Sequence, residues 1–223
     1  MNKLLKGYKH FHEDIFPQKR PLFEKLAHEQ HPRAIFITCA DSRILPDLIT
    51  QADPGDLFVT RNAGNIIPSY GDRHAGVSAT IEYAILALGV RNIIVCGHSD
   101  CGAMKAVLNP EKVKGMPTVA SWLFHAESAR RIVEENYPGL DGEQKLNALI
   151  HENVLAQLDH LKTHPSVASR LIRGELNLYG WVYDIRTGDI DAYDAESGTF
   201  VRLDPDRPVM ASLPVRKLAT VGV

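Results

Sequence analysis

The chain has 223 residues, room for one large domain, and an apolar fraction of 44% that can furnish a substantial core. A net charge of −2 gives no electrostatic reason to bind nucleic acid or an anionic membrane. Three cysteines are too few, and odd in number, for a disulfide framework, so a reducing cytoplasm and a metal or catalytic use are expected.

No apolar run nears the roughly 18 residues of a membrane span. Lys3 and Lys6 are not followed by the apolar core of a secretory leader. Leu4, Tyr8, Phe11 and Ile15 form one helical stripe, ended by Pro17. A second helix through Leu22, Phe23 and Leu26 runs to the His31-Pro32 break. Residues 1–30 thus read as a helical arm.

Ala34–Thr38 is short, apolar and rich in β-branched residues, as a buried strand is. The turn Cys39-Ala40-Asp41-Ser42-Arg43 follows it, then a brief helix at Leu45–Ile49. Leu57–Thr60 reads as a strand with the loop Arg61–Asn65 at its carboxyl end. Val77–Leu88 has the composition of a buried helix, with Gly89 placed to cap it. Asn92–Cys96 is another apolar strand, followed by Gly97-His98-Ser99-Asp100-Cys101-Gly102 and a helix starting near Ala103.

Apolar positions from Val119 to Val133 and from Leu146 to Leu161 mark two further helices, ended by Pro138-Gly139 and by His164-Pro165. Leu176–Tyr183 forms a hairpin with Ile190–Tyr193 through Thr187-Gly188-Asp189. Residues 200–223 hold three prolines and read as an extended tail. Alternating strands and helices predict an α/β fold. A mostly parallel central sheet is flanked by helices, with an antiparallel C-terminal edge, all in a single domain over 1–223.

Two of the turns carry metal-ligand chemistry. Ligands of an open parallel sheet lie beyond the carboxyl ends of its strands, where the strand order reverses. If the strands before Cys39 and His98 are neighbours, Cys39, His98 and Cys101 meet in one crevice. Two sulfurs and an imidazole nitrogen suit zinc, with Asp41 or a water in the fourth position. Cys101 stands at a helix N-terminus, which favours its thiolate. Cys96, inside a strand, reads as a small buried hydrophobe.

Cys39–Arg43 and His98–Gly102 resemble the paired signatures of the β-class carbonic anhydrases. Gln30, Pro54-Gly55-Asp56, Arg61–Asn65, Ile81-Glu82-Tyr83-Ala84 and Gly180–Asp184 extend the likeness over nearly the whole chain, in particular to bacterial cyanate-associated and plant-type members. The resemblance implies one Zn2+ per subunit on Cys39, His98 and Cys101, and reversible hydration of CO2 to bicarbonate by a water made nucleophilic on that zinc. It implies catalytic roles for Asp41 and Arg43, with Asp41 a fourth ligand only in a closed state. It further implies a substrate pocket of Gln30, Phe58, Ala63, Tyr83 and Gly102, some of it reached across a homodimer or homotetramer interface. Some family members hold an inhibitory bicarbonate on a Trp, an Arg and a Tyr. Arg61 and Tyr183 match, but Phe36 replaces the Trp and has no N–H to donate, so an open site is expected. The competing readings are a zinc hydrolase of carbon disulfide or carbonyl sulfide on the same fold, and a zinc scaffold without turnover.

Overall fold

The computed structural model describes residues 1–71 and 75–206. Six strands form one sheet in the order β2-β1-β3-β4-β5-β6. They are β1 Ala34–Cys39, β2 Leu57–Asn62, β3 Asn92–His98, β4 Asn177–Tyr183, β5 Ile190–Asp194 and β6 Thr199–Arg202. The first four are parallel, and β5 and β6 add an antiparallel edge. The chain passes from β1 to β2 on one side and returns to β3 on the other, so the strand order reverses between β1 and β3. Their pairing, Ile35 with Ile93 through Thr38 with Cys96, confirms the adjacency that a shared crevice requires.

The helices are α1 Asn2–His10, α2 Phe16–Leu26, α3 Pro46–Thr50, α4 Ala75–Leu86, α5 Gly102–Leu108, α6 Pro117–Leu123, α7 Glu127–Asn136, α8 Gly142–Lys162 and α9 Pro165–Ile172. Ile35, Ile37, Ile93 and Val95 face the larger core, which includes Leu149, Ile150, Val154 and Leu158 of α8. Alternation puts Phe36, Ile94 and Cys96 on the other face beside Tyr179, Trp181 and Tyr183. Helix α8 lies close on the sheet at Gly180, where a Cβ would come within 2.9 Å of Val154 Cγ1 and 3.0 Å of Leu158 Cδ1.

Four local expectations change. Pro17 does not end the first helix. A π-helical turn, Phe11–Ile15, joins α1 to α2, and Pro17 sits in the first turn of α2, where a missing N–H costs little. The helix expected over 119–133 breaks at a 3-10 turn, Phe124–Ala126, between α6 and α7. His164-Pro165 closes α8 but also starts α9, with Pro165 at the first helical position. The tail begins later than residue 200, because Thr199–Arg202 pairs with β5; the tail beyond residue 206 lies outside the described residues. Helix α4 closes through a left-handed Gly89 (φ 68°), with Val90 N–H donating to Ala84 O at 3.0 Å.

In the arm α1 buries nothing: Leu4, Leu5 and Tyr8 are more than half exposed. Phe16 stacks on Phe23 at 5.2 Å, and Phe11 meets both rings edge-on.

Candidate metal centre

Cys39 is the last residue of β1, His98 the last of β3, and Cys101 the residue before α5. Their ligand atoms lie within 4.8 Å of one another, and all three side chains are buried. His98 is fully buried, and its Nδ1 is 2.8 Å from the Ser99 carbonyl. A carbonyl only accepts, so Nδ1 carries the proton and Nε2 presents a lone pair. That Nε2 is sealed from water without a hydrogen-bond partner. A buried acceptor left so is costly unless something binds it, and a cation held also by two sulfurs satisfies it. The donor set fits zinc with one position open.

The thiols share the problem of proximity. Cys39 is pushed down to about 4, first by the hydrogen bond from Cys101, with burial opposing and the Gly64 N–H assisting. The Gly64 nitrogen is 3.4 Å from Cys39 Sγ. Cys101 is pushed strongly up by the neighbouring Cys39 sulfur and by burial. The N–H groups of Met104 and Ala103 at the start of α5 pull it the other way and lose. The helix terminus alone therefore does not make Cys101 a thiolate; a metal has to displace its proton. Gly64 comes this close because its φ is 84° and a Cβ would meet Met104 Cε at 2.9 Å.

Asp41 and Arg43 flank the triad. Arg43 Nε donates to Asp41 Oδ1 at 2.9 Å, Nη2 to Oδ2 at 2.8 Å, and the Arg43 backbone N–H to Oδ1 at 3.0 Å. This fork holds the Asp41 carboxyl well below its ordinary range, so it stays ionised and can only accept. Asp41 Oδ2 is 3.9 Å from His98 Nε2. Arg61 donates to the Cys39 and Asp41 carbonyls at 3.1 and 2.6 Å, bracing this turn from β2. Phe36 is fully buried and meets Trp181 edge-on at 6.0 Å. Cys96 is buried away from the triad, its thiol pushed up to about 12 by burial.

Of the other expected pocket residues, Gln30, Phe58 and Tyr83 are not gathered at the triad within one chain. Gln30 and Tyr83 line a separate surface cavity of about 600 Å³ with Leu26, Gly55 and Leu88. Tyr83 is 52% exposed and lies 6.1 Å from the half-buried Phe58 ring. Ala63 is exposed, and its carbonyl accepts from Trp122 Nε1 at 2.8 Å. Gly102 is the exposed first residue of α5, adjacent to Cys101. Asp100 escaped the sequence reading, although it sits between two ligands in His98–Cys101.

A Cys-His-Cys cluster at the switch point of a mostly parallel α/β sheet defines a zinc protein with an open coordination site. The carbonic anhydrase family model matches residues 34–190. A carbonic anhydrase of Pseudomonas aeruginosa is 50% identical over 91% of this chain and 92% of its own. The solved β-carbonic anhydrase CcaA superposes with a TM-score of 0.89 at 49% identity, covering 92% of each chain. A tetrameric β-carbonic anhydrase of Sordaria macrospora gives 0.70 at 32% identity over 86% of this chain and 92% of that one. The chain belongs to the β-class carbonic anhydrases, and it is an enzyme.

Proposed function

We propose that this protein catalyses the zinc-dependent reversible hydration of carbon dioxide, CO2 + H2O giving HCO3⁻ + H⁺. The observation that carries this is the buried Cys39-His98-Cys101 cluster beside an Asp41 held by Arg43, in a chain of this family. Zinc, when bound, supplies Lewis acidity that makes water nucleophilic near neutral pH.

Asp41 accepts a hydrogen bond from the attacking water at Oδ2, the oxygen that points towards His98 Nε2. An ionised carboxylate has no proton to give, so it orients the water and leaves a lone pair for the substrate carbon. Arg43 occupies both carboxylate oxygens and keeps Asp41 from swinging onto the metal. Gly102 offers a backbone N–H to the product anion. Gln30 donates its amide to a substrate oxygen, Phe58 and Tyr83 give CO2 an apolar wall, and Ala63 closes the pocket beside them. An indole is lacking at Phe36, and Arg61 is engaged by two carbonyls, so no inhibitory bicarbonate displaces this arrangement.

The pocket is completed in a homodimer or homotetramer. The exposed stripe Leu4, Leu5 and Tyr8 of the arm, and the exposed Tyr83 and Leu86 of α4, supply the apolar surface for it. The cavity lined by Gln30 and Tyr83 of one chain and the metal cluster of its partner then become one site. The whole chain acts as a single domain in a reducing cytoplasm, a reading supported by three cysteines, too few and odd in number for a disulfide framework.

Stopped-flow CO2 hydration with the zinc-loaded protein, repeated after chelation and after zinc is restored, tests the reading. Turnover that follows zinc supports it. A zinc-replete protein inert to CO2 but active on carbon disulfide overturns it.

A further inference from the structure

Arg43 has a second carboxylate. Its Nη1 donates to Asp100 Oδ2 at 3.1 Å, and Nη2 also approaches the Asp100 carbonyl at 3.4 Å. The other Asp100 oxygen is taken by Lys105 Nζ, from the second turn of α5. The result is a row of alternating charge, Asp41, Arg43, Asp100 and Lys105, that crosses the switch point. Arg43 follows β1 and the ligand Cys39; Asp100 follows β3 between the ligands His98 and Cys101. This row is a side-chain tie between the two ligand loops.

We propose that Asp100, steadied by Lys105, is a positioning residue. It fixes the Arg43 guanidinium so that both Arg43 donors stay on Asp41. The inference rests on the roles given above to Asp41 and Arg43. Without Asp100, the fork loses the contact that sets the tilt of the guanidinium plane, and its two bonds to Asp41 loosen. A planar fork serves two carboxylates only in one orientation, so the second carboxylate selects the rotamer that grips the first. Asp100 is 55% exposed and Arg43 44%, so the contact supplies orientation rather than stability.

Backbone geometry separates this role from folding. Asp100 has φ 60°, a left-handed conformation that glycine and asparagine tolerate. Asp100→Gly removes the carboxylate without backbone strain. Asp100→Asn keeps the turn and one acceptor oxygen. Asp100→Gly is expected to keep its zinc and KM while kcat falls about tenfold, the scale of losing an outer-shell partner. Asp100→Asn regains much of that loss, and Lys105→Met shows a smaller fall than Asp100→Gly. A second readout needs no metal. In the 15N-labelled apoprotein the Arg43 Nε–H, bonded to Asp41 Oδ1, exchanges with solvent faster in Asp100→Gly than in the unmodified chain.

Arg43→Ala is measured alongside. Asp100→Gly with unchanged kcat and unchanged Nε–H exchange, while Arg43→Ala is inactive, overturns the proposal alone. Loss of zinc from Asp100→Gly also overturns it, because the residue then serves the metal and not the arginine. An active Arg43→Ala overturns the reading of Asp41 and Arg43 and takes this proposal with it.

Discussion

Arg43 and Arg130 each sit between two carboxylates. Arg130 on α7 bonds Glu127 through Nε and Nη2 at 2.7 and 2.6 Å, and Glu134 through Nη1 at 2.6 Å. Arg43 grips Asp41 with the same fork and reaches Asp100 with the remaining nitrogen. In both places the carboxyl inside the fork is held low, Glu127 at about 2 and Asp41 below its ordinary range. Arg130 is the less exposed arginine, 24% against 44%. Neither the bidentate pair nor the depressed carboxyl therefore marks a site by itself. What separates the two is the neighbour. Asp41 stands 3.9 Å from a buried imidazole nitrogen that has no hydrogen-bond partner, whereas the Arg130 group is built from residues of a single helix.

The largest effect that breaks the comparison is removal of zinc. Chelation abolishes CO2 hydration, and zinc restores it. Amide exchange read by mass spectrometry rises most at residues 39–43 and 98–102 and least along α7. Equal deprotection of α7 would mean that the metal holds the whole fold and not one site.

Next is truncation of each arginine. Arg43→Ala lowers kcat at least about 100-fold, as loss of a positioned electrostatic group does. Arg130→Ala leaves kcat within about a factor of two, because its partners Glu127 and Glu134 belong to α7 and not to the metal centre. Parallel losses in the two variants would refute the distinction. A milder pair sharpens it. Arg43→Lys cannot make the planar fork and loses about tenfold in kcat. Arg130→Lys keeps an i, i+4 charge pair with Glu134 and costs under about 1 kcal/mol in a urea titration.

The two groups were also unequally legible. Glu127, Arg130 and Glu134 stand three and four residues apart, so their meeting follows from helix geometry alone. Asp100 lies 57 residues from Arg43, and only the adjacency of β1 and β3 brings them together. The ligands were readable because a Cys and a His at strand ends are uncommon in type and place. Their convergence needed a rule about where sheets bind ligands. β6 escaped because four residues, Thr199–Arg202, beside a proline-rich tail carry little period-two signal. Pro17 misled because a proline after an apolar stripe is a common stop signal, while the first turn of a helix accepts one. Gln30 and Tyr83 were placed in the pocket by resemblance only, and one chain by itself does not bring them to the triad.

The smallest effect concerns stability against pH, and it belongs to α7. Glu127 is lowered from 4.5 to about 2 chiefly by the hydrogen-bonded Arg130 guanidinium, with burial opposing and Arg131 assisting. A carboxyl whose folded value is depressed stabilises the fold above its unfolded value, and that stabilisation fades as pH falls towards the folded one. The side chain is a quarter exposed, so solvent screening cuts the nominal shift, and Glu127→Gln is expected to cost about 1 kcal/mol at pH 7. Between about pH 4.5 and about pH 2 the gap between the two proteins closes, because the unmodified carboxyl takes up the proton that the amide never needs. Urea midpoints at pH 7 and near pH 3.5 measure it. A gap that stays constant with pH would assign the loss to packing, and α7 would then hold its arginine by shape rather than by charge.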